Sequence, residues 1–136
     1  MAIDTAIVIY LMERHARFAP VVRPLFEAAD RGEVALVTSG VTLLEVLVVP
    51  LRAGDEALAD RYEALLTRGR GLTLVELDRP LLRAAARLRA THAVRTPDAL
   101  QLAAALARRC GCFLTNDRRL PSLPGLPVLQ LSDHAT

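Results

Sequence analysis

Four acidic residues stand where their side chains could share one chemical task. Asp4 and Asp117 each follow a short apolar segment, whereas Glu45 and Asp98 each lie near the start of an apolar helical segment. Carboxylates that meet repel one another, and a hard divalent cation such as Mg²⁺ or Mn²⁺ is their natural counter-charge. An ion of this kind can activate water and stabilise the leaving oxygen in phosphodiester cleavage. If the four acids meet, the pattern therefore predicts a metal-dependent nuclease.

Each acid also has an ordinary structural interpretation. Residues 42–45 (TLLE) fit a capping box at a helix start, and residues 96–98 (TPD) fit an N-cap, a proline and an acid in the first turn. Asp4 fits a simple helix cap, and Asp117 a simple turn. Taken one at a time, these interpretations are at least as good as the chemical one.

The surroundings of two of the acids favour the chemical interpretation. Glu45 has apolar neighbours at 43, 44 and 46–49, and no basic residue lies within one helical turn of it. We expect this carboxylate to be partly buried, and burying an unpaired charge costs several kcal/mol unless a counter-charge compensates. Asp98 begins a helix that is apolar almost all round, which is typical of a buried central helix.

The elements that must position these acids alternate along the chain. Short apolar segments predict strands that end near residue 4 and that span about 34–38, 72–76, 112–115 and 127–131. Helical spacing of apolar residues predicts helices at about 5–14, 21–31, 42–49, 55–67, 79–91 and 97–109. This order predicts a three-layer α/β fold with a central, mostly parallel five-stranded sheet flanked by helices. In such a sheet, ligands bind beyond the carboxyl ends of the strands.

Length and composition exclude several classes of protein. The chain has 136 residues, a formal charge of +2, 52% apolar and 24% charged residues, so we expect one folded domain over residues 1–136. No apolar segment approaches the ~20 residues of a membrane span, and we see no signal peptide. We therefore expect a soluble, cytoplasmic protein that does not bind a membrane.

The basic residues and the cysteines narrow the chemistry further. All 17 basic residues are arginine, which excludes a P-loop hydrolase and a response-regulator receiver, since both rely on a lysine. Cys110 and Cys112 are too few for a structural zinc site and too close for an ordinary disulfide, so we expect free thiols.

Four segments together resemble those of a known family, the PIN-domain ribonucleases. They are residues 4–7 (DTAI), 37–46 (VTSGVTLLEV), 95–105 (RTPDALQLAAA) and 113–117 (FLTND). Each segment is short, but their order and spacing over nearly the whole chain make a fairly specific match. Within that family the chain is similar in size to the VapC-like toxins of toxin–antitoxin pairs.

The resemblance implies a fold, a metal site and partners. It implies a three-layer PIN-like fold and an endoribonuclease that cleaves RNA with Mg²⁺, for which Mn²⁺ can substitute. It also implies a homodimer and inhibition by a small antitoxin protein whose tail enters the site. By position, the residues that match the family's acidic quartet are Asp4, Glu45, Asp98 and Asp117, and those that match assisting polar positions are Thr5, Thr115 and Asn116.

Contacts with an RNA backbone are predicted next to the fourth acid, at Arg118 and Arg119. The chain has only five aromatic residues, so a base-stacking platform is not expected, and recognition would rest on shape and phosphates. The alternative is a non-catalytic PIN-like module that keeps the fold and acts by dimerising or by binding a protein partner.

Overall fold

The computed structural model describes residues 1–135, which form a five-stranded parallel sheet covered by helices on both faces. The strands are β1 (Ala2–Ile3), β2 (Leu36–Ser39), β3 (Leu72–Val75), β4 (Phe113–Thr115) and β5 (Val128–Gln130). Their order across the sheet is β3-β2-β1-β4-β5, and every pair of neighbours is parallel. The predicted three-layer α/β architecture is confirmed.

Six α-helices connect the strands, in the predicted order. They are α1 (Thr5–Met12), α2 (Ala19–Asp30), α3 (Gly40–Arg52), α4 (Glu56–Arg68), α5 (Arg79–Thr91) and α6 (Thr96–Ala107), with a final 3-10 turn at Leu131–His134. The largest differences from the prediction are at β2 and α3. The strand runs to Ser39, and the helix starts at Gly40, so the loop expected between them does not exist.

The central strand, β1, is only two residues long, but the sheet holds it on both sides. Ala2 and Ile3 are fully buried and pair with β2 and β4. The backbone N–H of Asp4 then donates to the carbonyl of Leu114 at 3.0 Å. The chain is therefore fixed by the sheet up to the first acidic residue, even though the strand is short.

Alternating residues of the inner strands supply the two halves of the core. Ile3, Leu36 and Leu114 pack with residues of α1, α2 and α4 on one face. On the other face, Val37 packs with residues of α5 and α6, and Phe113 packs with residues of α6 and of the segment after β4. This is the period-two alternation of a strand that is buried on both faces.

The helix α6 is the most deeply buried of the six. All residues from 99 to 105 are buried, as predicted, and Gln101 is the one polar side chain among them. Among residues 1–135, no helix is long and apolar enough to cross a membrane. Cys110 and Cys112 are free thiols, as expected.

Candidate active site

A cleft of about 400 Å³ lies at the carboxyl edge of the sheet, beyond β1 and β4. Residues from α1, α3, α6 and the turn after β4 line it. They are Asp4, Thr5, Ala6, Ile9, Glu45, Arg95, Pro97, Asp98, Gln101 and Asp117. The structure thus brings all four predicted acids, which are separated by up to 113 positions in sequence, to one cleft.

Asp4 is both the N-cap of α1 and an acid of the cleft. Its Oδ1 accepts from the backbone N–H of Thr5 at 2.7 Å, and its Oδ2 accepts from the Thr115 hydroxyl at 2.7 Å. Burial raises the pKa of this carboxyl above its ordinary value, and the nearby charges of Asp98 and Glu45 act in the same direction. The two hydrogen bonds oppose this shift without cancelling it. The interpretation as a cap is correct but incomplete.

Glu45 does not belong to a capping box, so that interpretation is wrong. The N-cap of α3 is Ser39, whose Oγ accepts from the N–H of Val41 at 3.2 Å, and Thr42 is a buried residue inside the helix. Glu45 instead accepts a 2.7 Å hydrogen bond through its Oε1 from the Thr5 hydroxyl. Its carboxylate therefore faces α1 across the cleft.

The expected partial burial of Glu45 is also wrong, because the residue is exposed. Its apolar neighbours on α3 do not form a buried shell around it: Leu44 is 64% exposed and Val49 is also 64% exposed. An apolar sequence around a charged residue predicts burial only if the fold covers that side of the helix. Here part of this side of α3 is left uncovered.

Asp98 is the third residue of α6, and the prediction of Thr96 as the N-cap is wrong. Arg95 occupies the cap position without a side-chain cap, and the Thr96 hydroxyl accepts from the guanidinium of Arg89 at 2.9 Å. The Asp98 carboxylate lies 3.7 Å from Nε of Arg95. Its first-turn position is as expected, and the helix dipole there favours an anion.

Asp117 is held by the arginine two residues later. Nε and Nη2 of Arg119 each donate to one of its carboxylate oxygens at 3.0 Å, and the N–H of Arg119 donates to Oδ1 at 2.9 Å. The guanidinium of Arg119 holds the pKa of Asp117 below its ordinary value. The backbone N–H of Asp117 donates to the Thr115 hydroxyl at 2.9 Å, so Thr115 connects two of the four acids.

The remaining predicted site residues divide into two groups. Thr5 and Thr115 are buried and donate to cleft acids, and Arg119 pairs with the cleft acid Asp117. Asn116 instead braces the fold, since its amide donates to the Tyr10 hydroxyl and accepts from the N–H of Ser132. Arg118 likewise contacts the final 3-10 turn, where its guanidinium donates to Ser132 and to Asp133.

Two polar residues of the cleft lining, Arg95 and Gln101, were not among the predicted site residues. Gln101 lies three residues after Asp98, on the same side of α6, and is 4% exposed. The available signal was a polar side chain in an otherwise apolar buried helix, because such a group needs hydrogen-bond partners. No comparable signal marks Arg95, since a helix start is an ordinary place for an exposed arginine.

The donors in the cleft suit a hard divalent cation, because they are carboxylate and hydroxyl oxygens. The mutual repulsion of Asp4, Asp98 and Glu45 is what such an ion would relieve. Within residues 1–135, however, no three His, Cys, Asp or Glu side chains lie close enough together to form a ready metal site. Two of the acids, Asp98 and Asp117, are paired with arginines, so an ion at the cleft would compete with these guanidiniums for the carboxylate oxygens.

Comparison with known proteins places this chain in a family. A sequence profile of the PIN domain matches residues 1–126. The chain belongs to the PIN domain family. No curated protein matches it by sequence.

Solved structures of toxin–antitoxin complexes share the fold of this PIN domain. DNA-bound VapBC from Salmonella typhimurium superposes with a TM-score of 0.73 at 20% identity, covering 96% of each chain. A toxin–antitoxin complex from Klebsiella pneumoniae gives 0.71 at 21% identity, again with 96% of each chain. VapBC2 from Rickettsia felis, bound to a promoter DNA fragment, gives 0.70 at 16% identity, with 95% of this chain and 96% of the other.

Proposed function

We propose that this PIN domain is a divalent-metal-dependent endoribonuclease and the toxin of a toxin–antitoxin pair. The observation that carries the proposal is the meeting of Asp4, Glu45, Asp98 and Asp117 at one cleft. Separate structural roles do not require four acids from distant parts of the chain to share a cleft, and their repulsion costs stability. The toxin assignment is supported by the shared fold with chains from toxin–antitoxin complexes.

The four carboxylates would hold Mg²⁺, or Mn²⁺ in its place. When bound, the ion would supply an activated water and a counter-charge for the phosphate that is cleaved. Thr115 fixes the position of the Asp4 carboxylate, and Thr5 fixes that of Glu45, each through a 2.7 Å hydrogen bond. These hydrogen bonds leave the other lone pairs of both carboxylates free to face the cleft.

The two arginines at the rim give the cleft a way to accept a polyanion. Arg95 and Arg119 have exposed side chains, and each now pairs with a cleft carboxylate. Both guanidiniums are largely exposed, at 66% and 72%, so solvent screens these pairs, and the Arg95–Asp98 pair is a single long contact of 3.7 Å. If an ion takes over the carboxylates, both guanidiniums become available to RNA phosphates.

A groove on the α1, α2 and α4 side suits the protein partner. It has a volume of about 860 Å³. Its lining combines the apolar side chains of Leu11, Met12 and Leu58 with the guanidiniums of Arg14, Arg23 and Arg61. An apolar floor with a basic rim complements an amphipathic helix with acidic flanks. We infer that this groove binds a segment of the antitoxin.

The function is tested by metal binding, because a selective nuclease ignores most RNAs. Mn²⁺ is titrated by calorimetry into the purified, partner-free protein, with Asp98→Asn and Asp60→Asn alongside. Asp60 is an exposed acid on α4, away from the cleft, and serves as the matched control. We expect saturable binding that Asp98→Asn loses and Asp60→Asn keeps, and metal-dependent new 5′ ends when total RNA is incubated with the protein and sequenced.

One observation favours the non-catalytic alternative, namely the pairing of Asp98 and Asp117 with arginines of the same chain. In a module that acts only through a protein partner, these pairs would be the final arrangement of the cleft. Such a module would bind Mn²⁺ no more tightly than Asp98→Asn does. Equal titrations of the unaltered protein and of this variant would therefore contradict the nuclease proposal.

A further inference from the structure

A chain of buried hydrogen bonds runs beneath the floor of the cleft, with Gln101 at its centre. Gln101 Oε1 accepts from the Ser39 hydroxyl at 2.8 Å. Its Nε2 donates to the Thr42 hydroxyl at 2.8 Å and, more weakly, to the Thr5 hydroxyl at 3.4 Å. Thr5 in turn donates to Glu45 Oε1 at 2.7 Å. One amide thus connects α6, β2, α3 and α1 to a carboxylate of the cleft.

Counting protons gives a consistent direction of donation through this chain. The single proton of the Thr38 hydroxyl goes to the carbonyl of Ile3 at 3.0 Å, so the 2.7 Å contact between Thr38 and Thr42 uses the proton of Thr42. Thr42 can then only accept from Gln101, which must present its NH₂ group on that side. The same NH₂ group donates to Thr5, whose own proton goes to Glu45 Oε1 at 2.7 Å rather than to the Thr42 oxygen, which lies farther away at 3.1 Å.

The opposite side of Gln101 agrees with this direction. The Ser39 Oγ already accepts from the N–H of Val41, so its proton is free to go to Gln101 Oε1. Turning the amide over would place its carbonyl oxygen against Thr5 and Thr42 and draw their protons away from Glu45 and Thr38. The orientation of one buried amide therefore decides whether the Thr5 proton points at the cleft.

Glu45 has particular need of this support because it is exposed. An exposed glutamate side chain samples many rotamers, and fixing it costs conformational entropy. The hydrogen bond from Thr5 holds its Oε1 toward α1, and Thr5 itself is buried. The rotamer of Glu45 thus depends on a hydroxyl whose proton is directed by Gln101.

We propose that Gln101 is a positioning residue that acts through Thr5 to hold Glu45 ready for a divalent cation. This inference rests on the proposed metal-dependent function and deepens it. Groups that orient metal ligands from behind typically contribute about 10–100-fold to metal affinity. Gln101 lies on α6 with Asp98 and donates to Thr42 on α3, the helix that carries Glu45, so the same amide joins the two helices that supply these acids.

The test combines metal affinity with a double-mutant cycle. In Gln101→Met the side chain keeps its length and loses its amide, and in Thr5→Val the hydroxyl is lost. We expect each single variant to bind Mn²⁺ about 10–100-fold more weakly than the unaltered protein in calorimetry. The double variant should have the same affinity as the single variant that binds Mn²⁺ less tightly, because both changes break one path. Thr5→Ser keeps a hydroxyl and should bind nearly as the unaltered protein does. Leu66→Val, a fully buried substitution on α4, is the control for a general loss of packing.

A second measurement needs no metal. In the NMR spectrum of the metal-free protein, Glu45→Gln and Thr5→Val should both shift the side-chain amide signals of Gln101, whereas Leu66→Val should not. These shifts report the hydrogen-bond path itself. They remain measurable if Gln101→Met proves too unstable to purify, and Thr5→Val and Thr5→Ser then carry the affinity comparison.

The outcomes separate this inference from the function on which it rests. Mn²⁺ binding that is equal in the unaltered protein, Gln101→Met and Thr5→Val would overturn the positioning role and leave the nuclease intact. Additive losses in the double variant would also overturn it, because independent losses of packing add. Failure of the unaltered protein to bind Mn²⁺ would overturn the proposed function and, with it, the positioning of a metal ligand.

Discussion

At the scale of single residues, Asp98 separates a structural role from a chemical one. Its carboxylate lies in the first turn of α6, where an acid that serves only the helix dipole contributes about 0.3–1 kcal/mol. It also adds to the repulsion on Asp4. In Asp98→Asn we expect the metal-free protein to be as stable as the unaltered one or more so, because relief of repulsion offsets the weaker dipole interaction. Urea unfolding of both proteins measures this. A loss of stability near 1 kcal/mol would assign Asp98 to the helix alone.

Asp4 and Asp117 predict opposite dependences of stability on pH. The pKa of Asp4 is raised above 3.8, so its contribution to stability is fully present below that pH and is lost as the pH rises through the raised pKa. The pKa of Asp117 is lowered, so its contribution is present above 3.8 and is lost as the pH falls through the lowered pKa.

The two Asn variants measure these contributions in metal-free protein. As the pH rises above 3.8, the unaltered protein should lose unfolding free energy relative to Asp4→Asn, which lacks the titrating carboxyl. Once the pH is above the raised pKa of Asp4, the difference between the two proteins should stay constant. Asp117→Asn should have a lower unfolding free energy than the unaltered protein above pH 3.8, and this difference should shrink as the pH falls below 3.8. Urea unfolding over a series of pH values gives both curves, and parallel curves at all pH values would contradict the assigned environments.

At the scale of elements, the helix starts divide into ordinary caps and starts that build the cleft. Asp78 is an ordinary cap, because its Oδ1 accepts from the N–H of Leu81 at 3.0 Å at the start of α5. Asp4 caps α1 but also lines the cleft, and α6 begins without any side-chain cap. Where the sequence offered Thr96 as a cap, the structure uses its hydroxyl to bind Arg89.

This division gives a prediction for Asp78→Ala. The variant should lose about 0.5–2 kcal/mol of unfolding free energy, the usual cost of removing a cap, and its Mn²⁺ affinity should not change. Urea unfolding and calorimetry on the same preparation measure the two quantities. Weaker Mn²⁺ binding in this variant would mean that the cleft responds to general stability, and the losses seen on replacing cleft acids would then need the same explanation.

At the scale of the whole molecule, α3 carries an apolar face that the fold does not cover. Leu44, Val48 and Leu51 lie one turn apart on one side of the helix and are 64%, 41% and 48% exposed. Contiguous exposed apolar residues of this kind mark interaction sites. We propose that a second copy of the chain covers this face, which would place two clefts near each other because Glu45 lies on the same helix.

The dimer is tested by one charge on that face. Val48→Glu should convert a dimer into a monomer, because a carboxylate buried without a partner opposes association. Ala57→Glu adds the same charge at an exposed position of α4 and should leave the dimer intact. Light scattering after gel filtration gives the mass of each. A monomeric unaltered protein, or a dimeric Val48→Glu, would contradict this interface.

The sequence by itself determined the order of elements and the edge at which the acids meet. Periodicity of two or of 3.6 is a local property, so the strands, the buried helix α6 and the start of α5 at residue 79 follow from neighbours in the chain. Parallel strands bring their carboxyl ends to one edge, and this geometry alone placed Asp4 and Asp117 together.

Only the tertiary structure decided what each acid contacts. The hydrogen bonds from Gln101 to Thr5 and Thr42 join positions 96 and 59 residues apart, and no local pattern encodes such a pairing. The same holds for the exposure of Glu45, because the apolar sequence around it indicates burial only where another element covers the helix. Periodicity tells which side of an element is apolar, whereas the packing of distant elements decides whether that side is covered and which polar groups meet beneath it.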